Sequence, residues 1–283
     1  LTAPSTYALV SVASMSVPVC TSTVSGNAVV SIQALPTATI AANTICSGQT
    51  GTLTFTGTPG ALVTFFDGTS NQTVTLDASG NATYTTGVLT ADATYSLVSA
   101  ATTVAPICSQ TQTGSATVVV TALPTATISG TTSICSGSTT TISFSGTAGA
   151  VVTYTINAGA NQTITLDASG NATLTTSALT ADTTYALVSV ALGSCSQNQT
   201  GSALVTILPL PTASISGTTT ICSGTTTTIS FSGTANATVT YTVDSGAPQT
   251  IVLDAAGNAT LTTPILTAPS TYALVSVASM SVP

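Results

Sequence analysis

Two residue types in this chain could carry chemistry, cysteine and aspartate, and their spacing decides which chemistry that is. The six cysteines fall into two alternating kinds. Cys46, Cys135 and Cys222 each sit in the tetrapeptide I-C-S-G, whereas Cys20, Cys108 and Cys195 each lie in a loop late in the following stretch. No C-x-x-C pair and no histidine accompanies them, so the spacing of a zinc site is missing. A thiol nucleophile would need a neighbouring base, and none is available. Structural disulfides at all six positions, formed in an oxidising compartment, are the expectation from residue type. All seven charged side chains are aspartates: Asp67, Asp77, Asp92, Asp167, Asp182, Asp244 and Asp254. With no Lys, Arg, Glu or His, the chain lacks every common general base but a lone carboxylate, and its many hydroxyls lack an activating partner. No enzyme activity, catalytic residue or cofactor site is expected. Asp77, Asp167 and Asp254 recur in the run D-A-S/A-G-N, where a carboxylate bonds to a turn's backbone and Gly and Asn tolerate positive φ. A calcium loop would gather several carboxylates, and one per loop predicts no metal site.

What positions these residues is a repeat. The run L-P-T-A-T/S begins at Leu35, Leu123 and Leu210, and L-T-A begins at Leu1, Leu89, Leu179 and Leu266. Residues 1–18, LTAPSTYALVSVASMSVP, return unchanged at 266–283. A period near 88 residues exceeds one solenoid turn and suits a small β-sandwich of roughly 100 residues. The expected organisation is the C-terminal part of a preceding repeat at 1–34, full repeats at 35–122 and 123–209, and a repeat lacking its last strand at 210–283.

The class follows from composition. Hydrophobic residues make up 43% of the chain and alternate with threonine, which argues for half-buried strands and against disorder. Within 123–209, seven segments read as strands: 124–129, 139–146, 151–156, 162–166, 171–176, 183–191 and 202–208. The tetrapeptide at 134–137 reads as a turn. Seven short strands between Gly-, Asn- and Pro-rich turns predict an all-β protein of tandem, seven-stranded immunoglobulin-like sandwiches. Tyr95 and Tyr185 open the sixth strand after a Leu-x-x-Asp corner, as in the tyrosine corner of such sandwiches; Tyr7 and Tyr272 follow Pro4 and Pro269 instead. A plain core tyrosine is the competing reading, and both need the same fold.

The unit LPTATISGTTSICSGSTTTISFSGT…TYTI…NQTITLDASGNATLTT…LTADTTYALVSV…CSQ resembles the tandem immunoglobulin-like repeats of giant surface proteins of gliding Bacteroidota, the mobile gliding adhesins of flavobacteria among them. The resemblance covers nearly the whole chain. It implies export by the type IX system and transport along the cell surface.

Two disulfide patterns compete. Within a repeat the pairs would be Cys46–Cys108 and Cys135–Cys195. In a simple sandwich, however, the loop before strand two and the loop after strand six lie at opposite ends, a strand length apart, whereas bonded Cα atoms lie within about 7 Å. Pairing between neighbours, Cys46–Cys195, avoids that conflict. Both patterns stay open at this point.

The absence of basic residues excludes an electrostatic footprint for nucleic acid and attraction to anionic lipid. No apolar run reaches the roughly 18–20 residues of a membrane helix. The strands carry Thr where exposed edges normally carry Lys, so edges are expected to be covered by neighbouring repeats, by glycans or by parallel copies in a fibre. Pro-stiffened linkers such as Thr206–Pro211 favour a semi-rigid rod. The function expected is an extracellular structural and adhesive filament at the cell surface, its partners being neighbouring repeats, other copies, and target surfaces or glycans. An array of polysaccharide-binding modules, gaining avidity by multivalency, is the rival; the scarcity of aromatic residues counts against it.

Overall fold

The computed structural model describes residues 3–279, all as strands, turns and loops. The chain divides into two compact units, 1–123 and 124–283, each taken here by itself.

The first unit opens with two small hairpins. Strands β1 (Ser5–Ala8) and β4 (Asn27–Val30) pair antiparallel, as do β2 (Ser11–Ala13) and β3 (Thr21–Thr23). Their side chains are almost all exposed, and they join no hydrophobic core. The sandwich follows: β5 (Ala38–Ala42), β6 (Thr44–Cys46), β7 (Gln49–Gly57), β8 (Leu62–Phe66), β9 (Asn71–Thr75), β10 (Asn81–Leu89), β11 (Ala93–Ala101), β12 (Ser109–Thr111) and β13 (Ser115–Thr121). One sheet runs β10-β7-β5 and the other β6-β13-β11-β8-β9, with β12 on the far part of β11. Alternation decides which face is inward. In β7, Gly51, Leu53 and Phe55 are buried while Thr52, Thr54 and Thr56 are half-buried or exposed. The core therefore joins Leu53 and Phe55 of one sheet to Val63, Phe65, Tyr95 and Val118 of the other. The rings of Phe55 and Phe65 meet across the layers, with centroids 4.9 Å apart and planes tilted by 41°. Tilted packing of this kind suits the ring quadrupoles.

The second unit repeats the plan. Strands β14 (Ala126–Ser129), β15 (Thr132–Cys135), β16 (Thr141–Gly146), β17 (Val151–Ile156), β18 (Gln162–Thr165), β19 (Asn171–Thr175), β20 (Thr183–Leu192), β21 (Cys195–Asn198) and β22 (Ser202–Leu208) form sheets β14-β16-β19 and β15-β22-β20-β17-β18, with β21 on β20. All seven segments expected as strands in 123–209 are present. Two short strands join them, because Thr132–Cys135 does not turn but pairs in parallel with Val205–Leu208; the turn is confined to Ser136–Gly137. The core packs Ile142 and Phe144 against Val152, Tyr154, Tyr185, Leu187 and Val205. A third core, Ile229, Phe231, Val239, Tyr241 and Leu253, sits between sheets β23-β24-β27 and β26-β25-β28. Their ranges are β23 (Ala213–Ser216), β24 (Thr228–Gly233), β25 (Thr238–Val243), β26 (Gln249–Val252), β27 (Asn258–Thr262) and β28 (Tyr272–Ala278). Each sandwich thus has the two-layered, largely antiparallel order of an immunoglobulin-like domain, with one short parallel pairing, β6 on β13 and β15 on β22, in each of the first two.

Candidate functional site

The polar side chains act on the fold's own backbone, and they do so at the same places in each sandwich. The hairpin aspartates come first. Asp77 Oδ1 accepts the N–H groups of Ser79 and Asn81 at 2.7 and 2.9 Å. Asp167 does the same for Ser169 and Asn171 at 2.8 and 2.9 Å, and Asp254 for Ala256 and Asn258 at 2.9 Å each. Each carboxylate ties the loop that joins two sheets, which is the turn role expected of it. Asp67 is held more strongly. The N–H of Ser70, the hydroxyl and N–H of Thr69 and the amide of Gln72 all donate to it, and they hold its carboxyl well below the usual carboxylate range.

The corner aspartates do something the sequence did not announce. Asp92 Oδ1 accepts the N–H of Val120, and Asp182 Oδ1 that of Ile207, both at 2.7 Å. Each carboxylate thereby pins the last strand of its sandwich to the start of the sixth. In the third sandwich Pro269 stands at that position; Asp244, in the place of Asn157, accepts from Thr271 N–H and the Ser270 hydroxyl, as Asn157 accepts from Thr184 N–H. A buried threonine makes a second recurring anchor. Thr86, Thr176 and Thr263 accept the N–H of Gly51, Thr140 and Thr227 at 2.8, 3.0 and 3.0 Å. Across the first two strands of each sandwich, paired hydroxyls take the place a salt bridge could fill: Thr39 with Thr56, Thr127 with Ser145, and Ser214 with Ser232, at 2.6, 2.8 and 2.8 Å.

Tyr95 and Tyr185 are buried at the start of the sixth strand, and burial pushes both hydroxyls above the usual tyrosine range. Tyr95 meets the Thr86 side chain. Tyr272 is half-buried and raised by the same cause, and Tyr7, without a core, is exposed.

Among the described residues Cys46 and Cys195 are disulfide-bonded, while Cys20, Cys108, Cys135 and Cys222 are free thiols. Neither within-repeat pair forms, and register explains why. Cys46 lies against Thr121, near the start of β11, whereas Cys108 follows the end of that nine-residue strand. Cys135 lies against Leu208 near the start of β20, and Cys195 lies beyond its end, against Leu192. At about 3.3 Å per residue each pair is separated by roughly 30 Å, far outside bonding range.

Among the described residues, no three Cys and Asp side chains gather as a metal site would need, and no helix is long and apolar enough to cross a membrane. A cleft of about 570 Å³ lies in the third sandwich between the Gly217–Ser223 segment and the corner before β28.

No family model and no curated protein sequence matches the chain. Solved structures similar to it include one from a study of host cell surface retention of a 1.5-MDa bacterial ice-binding adhesin. That match has 17% identity over 82% of this chain and 88% of the other, at a TM-score of 0.39. Titin domains I67–I69 share 16% identity over 86% and 94%, with a TM-score of 0.46. The fibronectin(III)-like modules of CbhA from Clostridium thermocellum share 12% over 61% and 94%, at 0.32. The class of the chain, immunoglobulin-like sandwiches in tandem, rests on its strand order and cores.

Proposed function

We propose that the chain is a stretch of an extracellular structural and adhesive filament on a bacterial surface, and that it has no enzymatic role. The observation that carries this reading is recurrence. One sandwich is built three times with the same hairpin carboxylate, the same buried threonine and the same hydroxyl pair, and every recurring polar group serves the fold. Selection for a repeated spacer would give this pattern; selection for a catalytic centre would single out one copy. That Cys46 and Cys195 are disulfide-bonded supports an oxidising, extracellular setting. It also supports a finer reading of the cysteines, in which each I-C-S-G cysteine bonds the late-loop cysteine of the next repeat and clasps neighbours together. Exposed edges without a basic residue fit coverage by other copies or by glycans. Transport along a gliding cell after type IX export, implied by the sequence resemblance, belongs to the same reading.

Negative-stain imaging of the purified chain tests it. Unbranched rods that lengthen in proportion to the number of repeats, each adding about 35–45 Å, are expected. Particles whose length does not grow with repeat number would refute the filament. Selective glycan binding by one isolated repeat would move the reading to a ligand-binding array.

A further inference from the structure

We propose that the short parallel pair in each of the first two sandwiches, β6 on β13 and β15 on β22, is a mechanical clamp closed by an aspartate, and that it takes tension along the chain in shear. The proposal rests on the filament reading only for the source of that tension.

Direction decides how a strand pair fails. The chain enters each of these sandwiches by its first strands and leaves by its last. Strand β6 runs parallel to β13 with Thr44↔Val119, Ile45↔Val120 and Cys46↔Thr121. Strand β15 runs parallel to β22 with Thr132↔Val205, Ser133↔Thr206, Ile134↔Ile207 and Cys135↔Leu208. Tension draws the entering strand back toward its start and the leaving strand on toward its end. Parallel neighbours loaded in this way slide past each other, and every bond between them is stretched at once. A hairpin pulled apart at its open end gives up one bond at a time.

The clamp sits where the load arrives. Strand β20 holds the first part of β22, Ser202 to Val205. From Thr206 to Leu208 the backbone is held instead by β15, by the Ser136 N–H on Leu208 O at 2.9 Å, and by Asp182, which accepts from Ile207 N–H at 2.7 Å. The first sandwich repeats the arrangement. Strand β11 holds β13 from Ser115 to Val118; beyond it stand β6, the Ser47 N–H on Thr121 O at 2.8 Å, and Asp92 on Val120 N–H at 2.7 Å. Side-chain amides grip the entering strand. Gln112 donates to Pro36 O and accepts from Ala38 N–H, at 3.0 and 3.2 Å. Gln197 and Gln199 divide these tasks at Pro124 and Ala126, at 2.8 and 3.4 Å. The second clamp has one register pair more than the first, so the first sandwich yields sooner at equal load.

Ser136→Pro isolates the clamp. Residues 135–138 form a turn closed by the Ser138 N–H on Cys135 O at 3.0 Å, with Gly137 at φ 83°. That is the type II form, which favours proline in the place of Ser136. The substitution keeps the turn and deletes the N–H that Leu208 O accepts, whereas Ser136→Ala keeps both. The test holds the whole chain by its two ends in magnetic tweezers at constant force. Reductant is present, because disulfides at Cys46 and Cys195 would themselves carry load. Ser136→Pro should shorten the lifetime of one sandwich roughly 3–10-fold, the equivalent of one hydrogen bond, and Ser136→Ala should not. A melting curve in the same reductant checks that each variant is folded. A second arm changes only the direction of pull and stands even if the proline variant fails to fold. Azide-bearing residues placed at the exposed positions Thr139 and Leu210 let handles open the β15–β22 pair from one end. At equal force the lifetime should fall roughly tenfold or more below that of end-to-end pulling, since the bonds then break singly. Equal lifetimes in the two directions, or a folded Ser136→Pro chain that lasts as long under end-to-end load as Ser136→Ala, would each overturn the proposal. Both arms read force on single chains, so they can fail while rods still lengthen with repeat number, and the reverse.

Discussion

Gly146 offers the sharpest check on the packing. It ends β16 opposite Ala126, and a Cβ built there would lie 2.0 Å from the carbonyl oxygen of Thr125 and 2.8 Å from Ala126 Cα. An ordinary contact begins near 3.4 Å, so Gly146→Ala must open the β14–β16 edge by about 1.4 Å. The obstructing atoms are backbone and cannot rotate aside. The bond at that edge that takes the strain is Thr147 N–H to Thr125 O, 2.9 Å, while Gly146 N–H to Gly170 O, also 2.9 Å, holds β16 on its other side, toward β19. Overpacking usually costs about 1–3 kcal/mol, and an immovable neighbour places this case at about 2–3. For a domain of this size that lowers the melting temperature by roughly 10–20 °C. Gly57 and Gly233 face the same contact, at 2.1 and 2.0 Å, so each sandwich supplies an independent repeat of the measurement. Calorimetry gives the shift, and hydrogen exchange should localise faster opening to residues 126–129. A Gly146→Ala chain within about 0.5 kcal/mol of the parent, with β14 exchange unchanged, would show that this close approach does not constrain the sequence.

Thr176→Val keeps the shape but removes the acceptor for Thr140 N–H, and should destabilise the second sandwich by about 1–3 kcal/mol in denaturant titration. Asp182→Ala releases Ile207 N–H, so exchange of β22 amides should accelerate while β16 amides stay protected. The raised tyrosines set an alkaline limit. Their folded forms hold the proton longer than the unfolded chain does, so their contribution is full below about pH 10 and is lost as pH rises through the folded values. Absorbance at 295 nm should show Tyr185 ionising only as the second sandwich opens. Asp67 acts with the opposite sign. Its depressed carboxyl stabilises above about pH 4 and loses that effect as pH falls further, so Asp67→Asn should flatten the acid limb of the first sandwich's stability curve.

Much of the fold was legible because alternation is local. Phe144 and Ile142, or Val152 and Tyr154, declare an inward face within a few residues. Strand β15 was hidden because its partner, β22, lies some seventy residues away in parallel, and a four-residue segment ending in Ser-Gly offers no pattern of its own. The opposed ends of the Cys46 and Cys108 loops could be read from strand order, which is why pairing within a repeat was already in difficulty. The tasks of Asp92 and Asp182 could not. A carboxylate immediately before a strand is visible, but that it reaches the last strand's backbone depends on the closed sheet. Thr86, Thr176 and Thr263 were lost among the many surface threonines, and their only signal was recurrence at one repeat position.

The paired hydroxyls along each first strand have a consequence for the response to salt. With no basic side chain, the chain can form no side-chain ion pair, and its cross-strand contacts are dipolar and very short-ranged. Dissolved ions weaken attraction between opposite charges and leave such contacts nearly untouched. A protein built this way should melt at nearly the same temperature in dilute buffer and in molar sodium chloride.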